Sequence, residues 1–107
     1  VAEGITDYCA VTSVAVPGVA VLGGISGSFR AIAEVALPAG CVVFVGTDND
    51  AKGDEYAAEV KRGVGDRAEC RRVVWGTNAD GTPMDASDYV KACGDVRERL
   101  AVAEVMP

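Results

Sequence analysis

Residues 42–59, VVFVGTDNDAKGDEYAAE, decide how the rest of the chain is read. The first four are apolar and β-prone with no polar alternation, as in a strand buried on both faces. The run then breaks into Asp48-Asn49-Asp50. Beyond it the period changes to that of a helix, over residues 51–64. Ala57, Val60 and Val64 fall on one face, while Glu59, Lys61 and Arg62 fall on the other. Gly63 and Gly65 mark its end. Two carboxylates one residue apart, at the end of a buried strand, are the feature that needs a reason.

Working outward, strand and helix alternate. Val1 and Ala2 form the stub of a first strand. Thr6 is placed to cap a helix reaching about Val14. Pro17-Gly18 makes a turn, residues 19–22 (VAVL) a continuous apolar strand, and residues 23–27 (GGISG) a loop. Ser28 is placed to cap a helix to about Ala36, and Pro38 to Gly40 turn the chain into the strongest strand, residues 41–45. Residues 72–75 read as a fourth strand. A polar loop over residues 76–84 leads to a short helix at residues 87–92. A last helix carries Val96, Leu100 and Ala103 on one side. Strands apolar on both faces and separated by helices imply an α/β fold whose parallel sheet is covered on both sides. In such sheets ligands bind at the carboxyl ends of the strands.

The chain has 107 residues, one domain by length, and half of them are apolar. Ten Lys and Arg against 16 Asp and Glu give a net charge of −6. That argues against non-specific nucleic-acid binding by this chain alone, and it is compatible with cation binding. With no initiator Met, the chain reads as one domain, residues 1–107, excised from a longer protein. No stretch has the length and apolarity of a signal peptide or membrane span. Cys9, Cys41, Cys70 and Cys93 are widely spaced and there is no histidine. A zinc site is therefore not expected, and reduced thiols point to a cytoplasmic protein.

The acidic residues can be weighed one group at a time. In an extended segment Asp48 and Asp50 point the same way, so both carboxylates can converge on one divalent cation. The alternative is helix capping, which also favours Asp. An EF-hand reading fails: Lys52 stands where the fifth ligand belongs, and the preceding segment is a strand. Glu3 ends the first strand stub, with Asp7 one helical turn on. If strands one and three are neighbours, Glu3 faces Asp48 and Asp50 across the carboxyl rim. Asp85 and Asp88 follow the fourth strand and either cap the short helix or reach the same rim. Lys52 and Gly53 could approach a nucleotide phosphate, and the alternative for Lys52, which its place favours, is a solvated lysine at the start of the helix. The 23–27 loop with Ser26 is a plain connection, because no G-K-[ST] follows it. Tyr8, Tyr56 and Tyr89 fall in helices and read as packing residues.

Taken in order, VAEGITDYCAV (residues 1–11), VVFVGTDNDAKG (42–53) and MDASDYVKACG (84–94) resemble the TOPRIM domain. That domain is shared by bacterial-type primases, type IA and II topoisomerases, OLD-type nucleases and RecR proteins. The E-G-x-x-D and D-x-D-x-x-G elements carry the resemblance. It implies a three-layer α/β/α fold with a four-stranded parallel sheet in the order 2-1-3-4. It implies that Glu3, Asp48 and Asp50 are catalytic and hold Mg²⁺ or Mn²⁺, that Asp7 matches the family's additional acid, and that Asp85 and Asp88 add to metal coordination. The D-x-x-D-Y segment is most similar to primases and primase-helicases of phages, plasmids and other mobile elements. The implied activity is nucleotidyl transfer from ribonucleoside triphosphates on a DNA template, for RNA primer synthesis in DNA replication. Glu3 would complete the coordination or act as general base on a ribose 3′-hydroxyl. A helicase domain or partner would accompany it, with no membrane involved. Alternatives are DNA cleavage, as in OLD-type nucleases or topoisomerases, and a non-catalytic RecR-like binding module. Two departures matter. The first strand is nearly absent, and the zinc-binding region and basic surface that hold template are missing. The isolated domain is therefore expected to be inactive.

Overall fold

A computed structural model describes residues 1–24 and 28–107. Ser26 and its neighbours Ile25 and Gly27 lie outside the described residues. The order of elements is β1 (Ala2–Glu3), α1 (Gly4–Ser13), β2 (Gly23–Gly24), a 3₁₀ segment (Phe29–Glu34), β3 (Val42–Val45), α2 (Ala51–Val64), β4 (Glu69–Arg72), α3 (Ala86–Lys91), α4 (Val96–Ala101) and β5 (Glu104–Val105).

The β3–α2 stretch forms as its pattern predicts. Val43 and Val45 turn one way and pack with Ala57, Val60 and Val64 of α2 and with Phe29 and Ile32. Phe44 turns the other way, as the two-residue period of a strand requires. There it packs against a second cluster of Val73, Trp75, Ala86, Tyr89, Val96 and Ala103. Fully burying a side chain such as Val45 or Val60 contributes roughly 1.5–3 kcal/mol. Asp50 caps α2, its carboxylate accepting the Gly53 N–H at 2.7 Å. The Phe29 ring stacks on Tyr56 with centroids 4.6 Å apart.

The α/β character holds, but the four-stranded parallel sheet in the order 2-1-3-4 does not form. There are two sheets instead. One is a two-stranded parallel pair, β1-β2; the other is mixed and three-stranded, in the order β3-β4-β5. Three local causes account for this. First, Gly4 takes φ +76°, in the left-handed region, and the chain passes from β1 into α1 after two strand residues. Toward β3 this leaves one isolated parallel bridge, Ala2 to Gly46, in which the Gly46 N–H donates to the Val1 carbonyl at 2.8 Å. Second, the apolar run at residues 19–22 is not strand. Gly23 and Gly24 pair with Ala2 and Glu3, and the run contributes one bond, from the Ala2 N–H to the Leu22 carbonyl. Third, β4 lies three residues earlier than its apolar content suggests. Its outer edge is taken by β5, which runs antiparallel with Arg71 opposite Val105 and Arg72 opposite Glu104. The connection from β4 to β5, residues 73–103, carries α3 and α4 and returns the chain along β4 in the opposite direction.

Two expected caps also differ. Thr6 lies inside α1, whose N-cap is Glu3 without a side-chain cap bond. Ser28 precedes a 3₁₀ segment and makes no cap bond either. No helix among the described residues is long and apolar enough to cross a membrane.

Candidate metal centre

Three carboxylates meet where β1 and β3 end. Oxygens of Asp7, Asp48 and Asp85 all lie within 4.8 Å of one another. Each comes from a different part of the chain, and each has a local reason to be there. Asp7 sits one turn into α1 and is the one residue that helix buries, at 3% exposure. Asp48 follows Gly46 and Thr47 at the end of β3, half-buried. Asp85 is the N-cap of α3.

Neighbouring donors hold these groups in place. Asp7 accepts the Ser87 N–H at 3.0 Å. Asp85 Oδ1 accepts the Ser87 hydroxyl at 2.9 Å and the Asp88 N–H at 2.7 Å. The Glu3 carboxylate accepts the Asp48 N–H at 2.8 Å, which ties the two strand ends together. The cluster lacks counter-charge: among the described residues, no Lys or Arg forms an ion pair with Glu3, Asp7, Asp48 or Asp85. Burial, and then the charges of Glu3, Asp7, Asp85 and Asp50, push the Asp48 carboxyl up to about 7. Burial also raises Asp7, helped by Asp85 and Glu3 and opposed by the Ser87 backbone bond.

The other sequence candidates take different places. Asp50 does not converge with Asp48; it is exposed and its carboxylate is drawn to the start of α2. Asp88 completes a capping box with Asp85 and accepts a bond from Asn78 at 3.3 Å. The Lys52 ammonium pairs with Glu55 at 3.0 Å and lies over the Tyr56 ring, so it is engaged along its own helix. Gly53 is buried directly beneath Asp48: a Cβ there would lie 1.8 Å from the Asp48 carbonyl oxygen. Its N–H is already taken by Asp50.

The residues that shape the Asp48 loop did not stand out in the sequence. Arg72, at the end of β4, donates from Nη1 to the carbonyls of Val45 (3.3 Å) and Thr47 (2.7 Å). Its Nη2 donates to the Asp48 carbonyl (2.7 Å) and the Asp54 carboxylate (3.1 Å). Asn49 acts as one more strand residue. Its amide donates to the Val73 carbonyl at 3.0 Å, and its side-chain oxygen accepts the Trp75 N–H at 2.9 Å. The buried Thr47 hydroxyl donates to the Gly53 carbonyl at 2.7 Å. The available signals were a pair of arginines leading into the apolar residues 73–75 (VVW) and an amide between two aspartates.

The donor set is made of hard carboxylate oxygens, with no imidazole and no thiolate. That chemistry fits Mg²⁺ or Mn²⁺ rather than zinc. No family model matches the chain, and neither a curated protein nor a solved structure matches it significantly.

Proposed function

We propose that the chain is a divalent-cation-dependent phosphoryl-transfer domain, acting within a larger protein in nucleotidyl transfer for RNA primer synthesis on a DNA template. The observation that carries the cation reading is Asp7. A helix that buries one residue, and buries a carboxylate, against two further carboxylates with no counter-cation is unfavourable unless protons or a cation join them, and a divalent cation does so with all three ionised. The nucleic-acid part of the proposal rests on the order of the three TOPRIM-like motifs.

Asp7, Asp48 and Asp85 would hold the ion, and when bound it neutralises charge on the phosphate and on the attacking and leaving oxygens. The chain's own residues do the rest. Glu3 holds the Asp48 backbone through its N–H, fixing the loop against β1. Ser87 orients Asp7 and Asp85 from one side, with its N–H on the first and its hydroxyl on the second. Asp50 keeps the start of α2 ordered behind the loop.

The test is a Mn²⁺ and Mg²⁺ titration of the ¹⁵N-labelled protein beside Asp48→Asn. Amide changes confined to Glu3–Asp7, Thr47–Gly53 and Asp85–Ser87, and absent from the variant, are the expected result. Primer synthesis by the full-length protein, lost in Asp48→Asn, then tests the reaction. Absence of localised changes up to about 10 mM cation, beyond the range of even weak sites, would refute the cation reading.

A further inference from the structure

We propose that Arg72 is a positioning residue for the cation site, an inference that rests on the reading of Asp7, Asp48 and Asp85 as cation ligands. Its guanidinium is spent on backbone. Three of its four acceptors are the carbonyls of Val45, Thr47 and Asp48, which lie along the chain as β3 runs out into the acidic loop. The fourth, Asp54, lies on the first turn of α2. One planar fork therefore fixes the end of β3, the Asp48 peptide and the start of α2 at once. The arginine side chain is 16% exposed, whereas Asp54 is 72% exposed, so the carbonyl contacts form the sheltered part of the clamp.

This placement has a consequence for charge. Arg72 sits behind the loop and makes no ion pair with the clustered carboxylates. It orders the ligand loop without occupying the cation's place. A lysine there would keep the charge but lose the fork, so it could not reach the Thr47 and Asp48 carbonyls and Asp54 together, while the bond from the Asp48 N–H to Glu3 would remain.

The molecule contains its own control. Arg67 is a second guanidinium clamp of the same size, donating to the carbonyls of Val64, Val35, Ile32 and Gly63 at 2.7–3.2 Å. It ties the 3₁₀ segment to the end of α2 and touches none of the ligand loop. A merely structural role for Arg72 predicts that the two arginines behave alike.

Mn²⁺ affinity is measured by calorimetry for wild type, Arg72→Lys, Arg72→Gln and Arg67→Lys, with folding checked by amide dispersion. The expected result is a loss of about 10–100-fold in Mn²⁺ affinity for a folded Arg72 variant, the range typical of groups that orient metal ligands. Arg67→Lys is expected to keep its affinity within about twofold. Wild-type binding with unchanged affinity in the Arg72 variants overturns the positioning role and leaves the cation site standing. Failure of wild type to bind Mn²⁺ overturns both. Unfolding of both Arg72 variants beside a folded Arg67→Lys assigns Arg72 to the scaffold and overturns the positioning role as well.

Discussion

Asp50 and Asp48 are one residue apart, and the side chain of each answers a different demand. Asp50 satisfies a helix N–H, and Asp48 joins a buried acidic cluster. Replacing Asp50 by Ala is therefore expected to cost about 1 kcal/mol in urea denaturation, the usual value of a helix cap. It should change Mn²⁺ affinity by less than about threefold, because Asp50 is the weakest of the charges acting on Asp48. Asp48→Asn should do the opposite, stabilising the cation-free protein. The sign follows from proton linkage. The folded protein holds the Asp48 proton to about pH 7, against an ordinary value of 3.8. Between those values the folded state binds more protons than the unfolded chain, so stability falls as pH rises. The advantage of Asp48→Asn should grow from about pH 4 to about pH 7 and then level off, as read from denaturation midpoints at a series of pH values. A flat difference would mean that burial and the neighbouring carboxylates do not raise Asp48 in the folded protein.

At the scale of elements, legibility followed the length of the periodic pattern. β3 and α2 were readable because four strand residues and fourteen helical ones give a period to count. β1, β2 and β5 have two residues each, which is too short for any period. The apolar run at residues 19–22 had strand composition but stays largely exposed, because β1 is too short to pair along it. The acidic candidates were legible by residue type, and Glu3, Asp7, Asp48 and Asp85 do come together. Asp50 and Asp85 do cap helices, as their places before α2 and α3 allowed, but that Asp85 also joins the cluster while Asp50 does not was decided by contacts no spacing rule reveals. The loop's dependence on Gly53 belongs to this scale, since α2 starts in direct contact with the Asp48 backbone. Gly53→Ala should push the helix off the loop, costing on the order of 2–4 kcal/mol in chemical denaturation. In whatever protein remains folded, the Mn²⁺ response should be lost with the displaced Asp48. Full retention of stability would mean that loop and helix are not in contact as described.

Across the whole molecule, the two sheets divide the acidic cluster. Asp7 follows the β1-β2 pair, whereas Asp48 follows the β3-β4-β5 sheet. Among the described residues, one bridge, Ala2 to Gly46, links the strands, with the Val1 ammonium on the Phe44 carbonyl beside it. Local opening at that seam would separate Asp7 from Asp48 while leaving the β3-β4 ladder intact. Amide hydrogen exchange should then be fast at Gly46 and Asp48 and slow at Val45 and Cys70 in the cation-free protein. Mn²⁺ should slow exchange at the first pair far more than at the second. On that view the strand seam can open while α1 stays packed on the second core cluster, and a bound cation would act as a fastener whose binding free energy is drawn from suppressed local opening.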